Sequence, residues 1–150
     1  MTTDVTIDTS ILAKGLIPPR RRIKDQLYED SLRLHSKSKE ILLKIENGEY
    51  INHIPLIALI ETACVVSRLT NDSESVNLSL SFVNQNSRMY SDAYLLERSI
   101  EIGKITKASG LDVIFMACAD ITGSALMTDD RKMFERACEY GLDAKFLRDK

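Results

Sequence analysis

Five short apolar or alternating segments recur along the chain, and polar or turn-forming residues bound most of them. They cover residues 5–8, 49–55, part of 88–95, 124–128 and 144–147. Segments of this length and pattern are typical of strands that are buried on one or both faces. We therefore predict five strands, with turns or helices between them.

Longer segments with apolar residues at helical spacing lie between these strands. They cover residues 22–46, as one long helix or two shorter ones, and residues 56–69, 96–109, 111–121 and 131–141. Residues 76–86 alternate in part but lie between polar capping residues, and we favour a helix there. Strands that alternate with helices predict a three-layer α/β/α sandwich around a mainly parallel, about five-stranded sheet.

The composition narrows the class of protein only slightly. A chain of 150 residues is expected to form one compact domain. Its 20 basic and 22 acidic residues nearly cancel, so a polyanion would have to meet a local basic patch. Residues 20–24, RRRIK, form the main basic cluster; we favour an exposed helix start over a nucleic-acid contact. With no leader-like N-terminus and no apolar run of roughly 18 residues, we expect a soluble, cytoplasmic protein without a membrane contact.

The cysteines and histidines do not indicate a zinc or thiol site. Cys64, Cys118 and Cys138 are odd in number, far apart and set among apolar residues, which predicts reduced thiols in the core. His35 and His53 stand alone without ligand spacing, so we expect them at the surface or at a strand edge.

Aspartates follow two of the predicted strands directly. Asp8 ends the first strand, and Asp129 and Asp130 follow the fourth. In open parallel sheets ligands bind beyond the carboxyl ends of the strands, which makes these acids candidates for a shared site. An acid between a strand and a helix is also commonly a helix N-cap. We favour that role for Asp129, and it is an equal alternative for Asp8 and Asp130.

Two further acids lie on predicted helices. Glu61 is on or beside the apolar face of its helix, because its neighbours three and four positions away are Ile57, Ala58, Cys64 and Val65. A buried carboxylate must be protonated, paired with a base or bound to a cation, and an ion pair is the alternative here. Asp112 lies in the opening turn of its helix, where the helix dipole alone would favour an acid. If the four acids form a cage, Mg²⁺ or Mn²⁺ is the natural counter-ion.

Four segments, in order, resemble the PIN-domain nucleases, especially the small prokaryotic members that include VapC-type toxin ribonucleases. The segments are VTIDTSIL, IPLIALIETACVVSRL, SGLDVIFMACA and ALMTDDRKMFERACEYGL. The resemblance extends from residue 4 to about residue 147, although residues 73–109 share only the helix pattern. The Pro18–Pro19 break is a departure, because many small relatives continue their first helix there.

The resemblance implies a site, a cofactor and an activity. It places the metal ligands at Asp8, Glu61, Asp112 and Asp130, with Ser10 and Thr128 as supporting polar residues. It implies one or two Mg²⁺ or Mn²⁺ ions that activate water for hydrolysis of phosphodiester bonds in RNA. It also implies the partners of such an endoribonuclease, namely an RNA substrate, an antitoxin protein if the chain is a toxin, and a second copy in a homodimer.

Other functions remain alternatives at this point. A PIN-type fold also serves in RNA processing, or as a non-catalytic module for RNA binding or assembly. A phosphoryl-accepting receiver domain would have a second acid where Thr9 follows Asp8, and an aspartate-nucleophile phosphatase would have one at Ser10. The chain has no Ser/His/Asp set and no glycine-rich phosphate loop, which argues against other hydrolase classes.

Overall fold

Five parallel strands form a single sheet in the structure, a computed structural model that describes residues 2–149. The strands are β1 (Thr3–Ile7), β2 (Tyr50–Pro55), β3 (Ser87–Tyr90), β4 (Ala125–Thr128) and β5 (Ala144–Phe146). Their spatial order is β3-β2-β1-β4-β5, with β1 at the centre. The register places Val5 opposite Asn52 on one side and opposite Ala125 on the other. All five predicted strands are present, and the sheet is entirely parallel.

Helices connect the strands and cover the sheet. They are α1 (Thr9–Leu16), α2 (Gln26–Glu46), α3 (Ala58–Thr70), α4 (Ser73–Asn86), α5 (Asp92–Thr106), α6 (Gly110–Thr122) and α7 (Arg131–Tyr140). Helix α6 packs against β1, β2 and β4, and α5 packs against α6 and α7. Helices α1 and α2 pack against each other, with α1 also against β4 and α2 against β2. This is the predicted α/β/α sandwich.

Helix α1 is absent from the sequence-based prediction. It is only eight residues long, and Asp8 caps it by accepting hydrogen bonds from the backbone N–H groups of Ser10 and Ile11. Close packing holds it against α2: a Cβ on Gly15 would lie 2.5 Å from a methyl carbon of Leu42. Residues 20–24 lie in the exposed linker after α1, because α2 begins only at Gln26. They are therefore not the start of a helix.

The core combines both faces of the sheet with the inner sides of the helices. Its fully buried side chains include Val5, Ile11, Phe115, Met116 and Leu126. Within residues 2–149, no helix combines the length and the apolar character that crossing a membrane requires.

Two expectations about single residues are wrong. Cys118 is buried, but Cys64 and Cys138 are exposed, because they lie on the outer sides of α3 and α7. His53 is buried on β2, a strand with neighbours on both sides, and is not at a strand edge. Its ring nitrogens lie 2.8 Å from Asp4 Oδ1 and 2.8 Å from the Tyr90 hydroxyl, which explains how the imidazole is accommodated.

Candidate functional site

The parallel sheet brings the predicted site residues to one edge. Asp8 follows β1 and Asp130 lies two residues beyond β4, and these two strands are neighbours. Helix α3 follows β2, so its first turn, with Glu61, lies at the same edge. Helix α6 leads back into β4, so it begins at this edge, with Asp112 in its first turn. The topology therefore supplies the convergence that the strand-end argument predicts.

Asp8 is a buried carboxylate whose hydrogen-bond donors are all neutral. One oxygen accepts from the backbone N–H groups of Ser10, at 3.1 Å, and Ile11, at 3.3 Å, and from the Ser10 hydroxyl. The other accepts from the Thr128 hydroxyl. Burial raises the pKa of Asp8 to about 6, although these hydrogen bonds oppose the rise; the charge of Glu61 adds to it. The Ser10 and Thr128 hydroxyls thus fix the orientation of the Asp8 carboxylate.

Glu61 and Asp112 are both half-buried, and both have raised pKa values. Burial is the main cause for Glu61, and the charge of Asp112 raises its pKa further while Arg68 opposes the rise. Burial is also the main cause for Asp112, followed by the charge of Asp130. The nearby Ser109 hydroxyl and the charge of Arg136 lower the pKa of Asp112 in part. Neither carboxylate behaves like a solvated surface acid.

The four acids interact as a succession of neighbours: Asp8 with Glu61, Glu61 with Asp112, and Asp112 with Asp130. Among residues 2–149, none of the four has a basic nitrogen within 4.0 Å of its carboxylate. Their mutual repulsion is therefore not relieved by an ion pair. An arrangement of this kind favours a cation supplied from solution.

The donor chemistry fits a hard divalent cation such as Mg²⁺ or Mn²⁺, because every candidate ligand is an oxygen. The Thr9 hydroxyl adds to this set. It is buried next to Glu61, close enough to lower the pKa of that carboxyl, and it has no hydrogen-bond partner among residues 2–149. The four acidic side chains do not form a closed metal site. Within the described chain, no three His, Cys, Asp or Glu residues are grouped tightly enough for one ion.

Asp130, and not Asp129, is the N-cap of α7, so the expected role of Asp129 is wrong. Asp130 accepts a hydrogen bond from the Met133 N–H at 3.2 Å, and its own N–H donates to the Thr128 hydroxyl at 2.9 Å. The Asp130 residue is exposed, whereas the side chain of Asp129 is 0% exposed. Successive residues beyond β4 therefore turn to opposite sides of the backbone.

Asp129 is held by two cations that sequence analysis did not associate with it. Arg148 approaches with Nε at 2.8 Å and Nη2 at 3.1 Å, and the Lys14 ammonium is paired with the same carboxylate. Burial alone would raise the pKa of Asp129, but the hydrogen bonds and charges of Arg148 and Lys14 lower it overall. The Asp129 N–H also donates to the Ser10 hydroxyl at 3.0 Å, which links this ion-pair cluster to Asp8.

Comparison with known proteins supports the fold. No family model and no curated protein matches the chain. The crystal structure of PAE2754 from Pyrobaculum aerophilum is similar, with a TM-score of 0.59 and 15% identity over 98% of this chain and 92% of that one. A domain of a functionally unknown protein from Methanocaldococcus jannaschii gives a TM-score of 0.54 and 16% identity over 99% and 94% of the two chains. At these identities the likeness defines a class of fold and no more.

Proposed function

We propose that this protein is a PIN-type endoribonuclease that depends on a divalent metal and hydrolyses phosphodiester bonds in RNA. The observation that carries the proposal is the group of four acids at the carboxyl edge of the sheet. Neighbouring acids raise the pKa values of Asp8, Glu61 and Asp112, and within residues 2–149 no basic nitrogen lies within 4.0 Å of any of the four carboxylates. A fold that leaves such charges uncompensated stabilises itself when a cation binds there.

Asp8, Glu61, Asp112 and Asp130 would draw closer together to hold the ion, Mg²⁺ or Mn²⁺, because within residues 2–149 no three of them are grouped tightly enough for one ion. Such an ion, when bound, lowers the pKa of water and stabilises negative charge on a leaving oxygen. The chain's own contribution is to fix the donors. Ser10 and Thr128 orient the Asp8 carboxylate, and the start of α1 holds one of its oxygens. With a pKa of about 6, Asp8 is mostly ionised at pH 7 and above.

The decisive test is Asp112→Asn, measured as Mn²⁺- or Mg²⁺-dependent cleavage of a mixed-sequence, single-stranded RNA. We expect the rate to fall by about 100-fold or more, equivalent to about 2.7 kcal/mol of transition-state stabilisation. Asp120→Asn is the matched control, because Asp120 lies on the same helix but pairs with Arg98. Cleavage by Asp112→Asn at the wild-type rate would show that the assigned site is wrong.

A second readout does not depend on cleavage. A ligand that binds only the folded state at 100 times its Kd stabilises that state by about 2.7 kcal/mol. Saturating Mn²⁺ should therefore raise the Tm of the wild type and of Asp120→Asn, but raise that of Asp112→Asn much less. An equal rise in all three proteins would place the bound ion elsewhere.

The open arrangement of the acids favours one other function, a non-catalytic RNA-binding or assembly module of the same fold. No three of the potential ligands in residues 2–149 are grouped for one ion. RNA binding without cleavage, together with a Tm that does not respond to Mg²⁺ or Mn²⁺, would identify this function.

Our proposal extends to partners and compartment. Exposed apolar side chains on α3 and α5 support a protein partner, either a second copy or an antitoxin; they include Ile60, Leu69, Tyr94, Leu96 and Ile100. Light scattering of the purified protein tests the homodimer, and an adjacent reading frame for a short DNA-binding protein would support the toxin role. Three cysteines without a disulfide fit the reducing cytoplasm.

A further inference from the structure

A cleft of about 340 Å³ opens beside the carboxylate site, between α1, the linker after it, α2 and the end of α3. Its walls are partly apolar, with Ile17, Pro18, Pro19 and Leu69 among them. Lys14, Arg20 and Arg148 also line it. None of the described residues that line the cleft is acidic, so its surface combines an apolar wall with three cations.

Two of these cations, Lys14 and Arg148, are held in place by a buried carboxylate. Asp129 lies beneath the cleft with its side chain 0% exposed, and it binds both Lys14 and Arg148. The side chains of Lys14 and Arg148 remain 36% and 52% exposed. One carboxylate fixes the position of two cations, so a positive charge remains at the surface. Such preorganised cations lose little side-chain freedom when an anion binds.

Arg20 supplies the third charge. It belongs to the basic segment of residues 20–24 and makes no ion pair within 4.0 Å to any residue of the described chain. Arg21, by contrast, is bound at 2.7 Å to Asp25, the N-cap of α2. The charge of Arg20 acts on Asp72 and helps to lower the pKa of that carboxyl, but the two groups form no ion pair. The linker therefore contributes to the cleft one guanidinium that no ion pair with a described residue holds.

The cleft is joined to the carboxylate site through α1 and Ser10. The Ser10 hydroxyl donates to Asp8 and accepts from the Asp129 N–H, so one side chain contacts both clusters. Lys14 lies six residues after Asp8 on the same helix, which is about 9 Å along its axis. A short, extended polymer bound to the protein can therefore contact the four acids and the cleft at the same time.

We propose that this cleft is a subsite for RNA, in which a backbone phosphate binds Arg148, Lys14 and Arg20 and the adjoining base or ribose rests on Pro18, Pro19 and Leu69. The inference rests on the proposed function, since that function names RNA as the strand. Guanidinium groups bind phosphate through paired hydrogen bonds, and the apolar side chains of the wall can bury part of a base or ribose by van der Waals contact. Charge complementarity favours an RNA strand as the occupant, because the lining carries three cations and, among the described residues, no acid, and a backbone phosphate is an anion.

The test is the affinity for a fluorescein-labelled oligouridylate of about ten nucleotides, measured by anisotropy in EDTA at several salt concentrations. We expect Arg20→Gln to weaken binding roughly threefold to tenfold and to reduce the slope of log K against log salt by about 0.7. Arg148→Gln should do the same or more. Arg33→Gln is the control, because this exposed arginine of α2 does not line the cleft.

Arg20→Gln keeps the Asp129 cluster intact, so its effect cannot be attributed to unfolding. Wild-type affinity in both cleft variants, or an equal loss in Arg33→Gln, would overturn the subsite. So would tight binding of an oligoglutamate peptide that Arg20→Gln abolishes while RNA affinity is unchanged, because the occupant would then be an acidic protein segment.

Measurement in EDTA separates this inference from the proposed function. If the cleft variants lose RNA affinity while no metal-dependent cleavage is found, the subsite stands and the nuclease does not. If cleavage is found but Arg20→Gln leaves its KM and the RNA affinity unchanged, the nuclease stands and the subsite does not.

Discussion

Asp8 and Asp129 are both buried at the same edge of the sheet, yet the structure treats their charges in opposite ways. Asp129 is bound by Lys14 and Arg148, and these cations lower its pKa below the ordinary value despite burial. Asp8 has only neutral donors around it, and burial raises its pKa to about 6. Burial alone therefore does not decide the state of a carboxylate; the charge of its partners does.

This contrast distinguishes the ion-pair cluster of Asp129, which stabilises the fold, from the site around Asp8, where the carboxylates have no ion-pair partner among residues 2–149. One serine hydroxyl, that of Ser10, contacts both acids, so the two environments belong to one hydrogen-bond network. Asp129 is already compensated and has nothing to gain from a metal ion. The raised pKa values of Asp8, Glu61 and Asp112 show that their ionised forms lack such compensation, which is why the proposed function depends on these acids and Asp130 and not on Asp129.

The largest expected effect comes from removing the compensation of Asp129. The double variant Lys14→Met/Arg148→Met leaves a fully buried carboxylate with no counter-charge, and we expect it to lose about 3 kcal/mol of unfolding free energy. Urea denaturation at pH 7 measures this loss. Lys145→Met is the control; its pair with Asp143 is exposed on both sides, and it should cost less than about 0.5 kcal/mol.

The pH dependence of the difference in unfolding free energy between the wild type and the double variant tests whether the charge of Asp129 causes it. A depressed pKa in the folded state contributes stability above the unfolded pKa, which is about 3.9 for aspartate, and loses it as the pH falls through the folded value. In the double variant, burial without a counter-charge raises the pKa of Asp129, so the difference in stability between the wild type and the double variant should begin to narrow as the pH falls towards about 4 and should narrow further below it. A gap that stays constant to pH 2 would mean that lost packing, not charge, causes the destabilisation.

A smaller effect, of opposite sign, is expected at Asp8. Its pKa of about 6, against 3.8 for an ordinary aspartate, disfavours the ionised folded state by about 3 kcal/mol at high pH. Weaker hydrogen bonds from Ser10 and Thr128 to an amide offset part of this, so Asp8→Asn should gain about 1 kcal/mol at pH 8 in EDTA. Because the raised pKa stabilises the protonated fold at low pH, the gain should disappear towards pH 4.

Asp25→Asn is the matched control for Asp8→Asn, because Asp25 also caps a helix. Arg21 lowers the pKa of Asp25, so its replacement should reduce stability at pH 8 and not increase it. If Asp8→Asn loses stability across the whole range from pH 4 to pH 8, the contrast between the two buried aspartates is wrong.

The sequence was sufficient to predict the layered fold, because each strand and each long helix carries its own local pattern. The run ALMT, for example, reads as a buried strand, and β4 does lie between β1 and β5. Helix α1 was not predicted, because it is short and two prolines, Pro18 and Pro19, follow shortly after its end. Its place depends on a tertiary contact, the close approach of Gly15 to α2, which no local pattern records.

The site was predictable only in part, for a related reason. Strand ends and the first turns of helices place Asp8, Glu61, Asp112 and Asp130 at one edge, and these positions can be read from the sequence. The partners of Asp129 cannot: Lys14 lies 115 positions away along the chain, and Arg148 lies 19 positions away. Which of two adjacent aspartates turns inward depends on the backbone after β4. For this reason the expected N-cap role of Asp129 was wrong, whereas the alternative of an N-cap at Asp130 was correct.

The smallest effect is expected at Asp130, the exposed neighbour of Asp129. Asparagine caps a helix as well as aspartate does, so Asp130→Asn should change the free energy of unfolding by less than about 0.5 kcal/mol in EDTA. Asp130→Ala removes the acceptor for the Met133 N–H and should cost about 1 kcal/mol. Asp129→Asn, measured beside them by urea denaturation, should cost more than either, since it breaks the pairs with Lys14 and Arg148. Equal losses in Asp129→Asn and Asp130→Asn would show that the two adjacent acids do not differ in the way that their environments indicate.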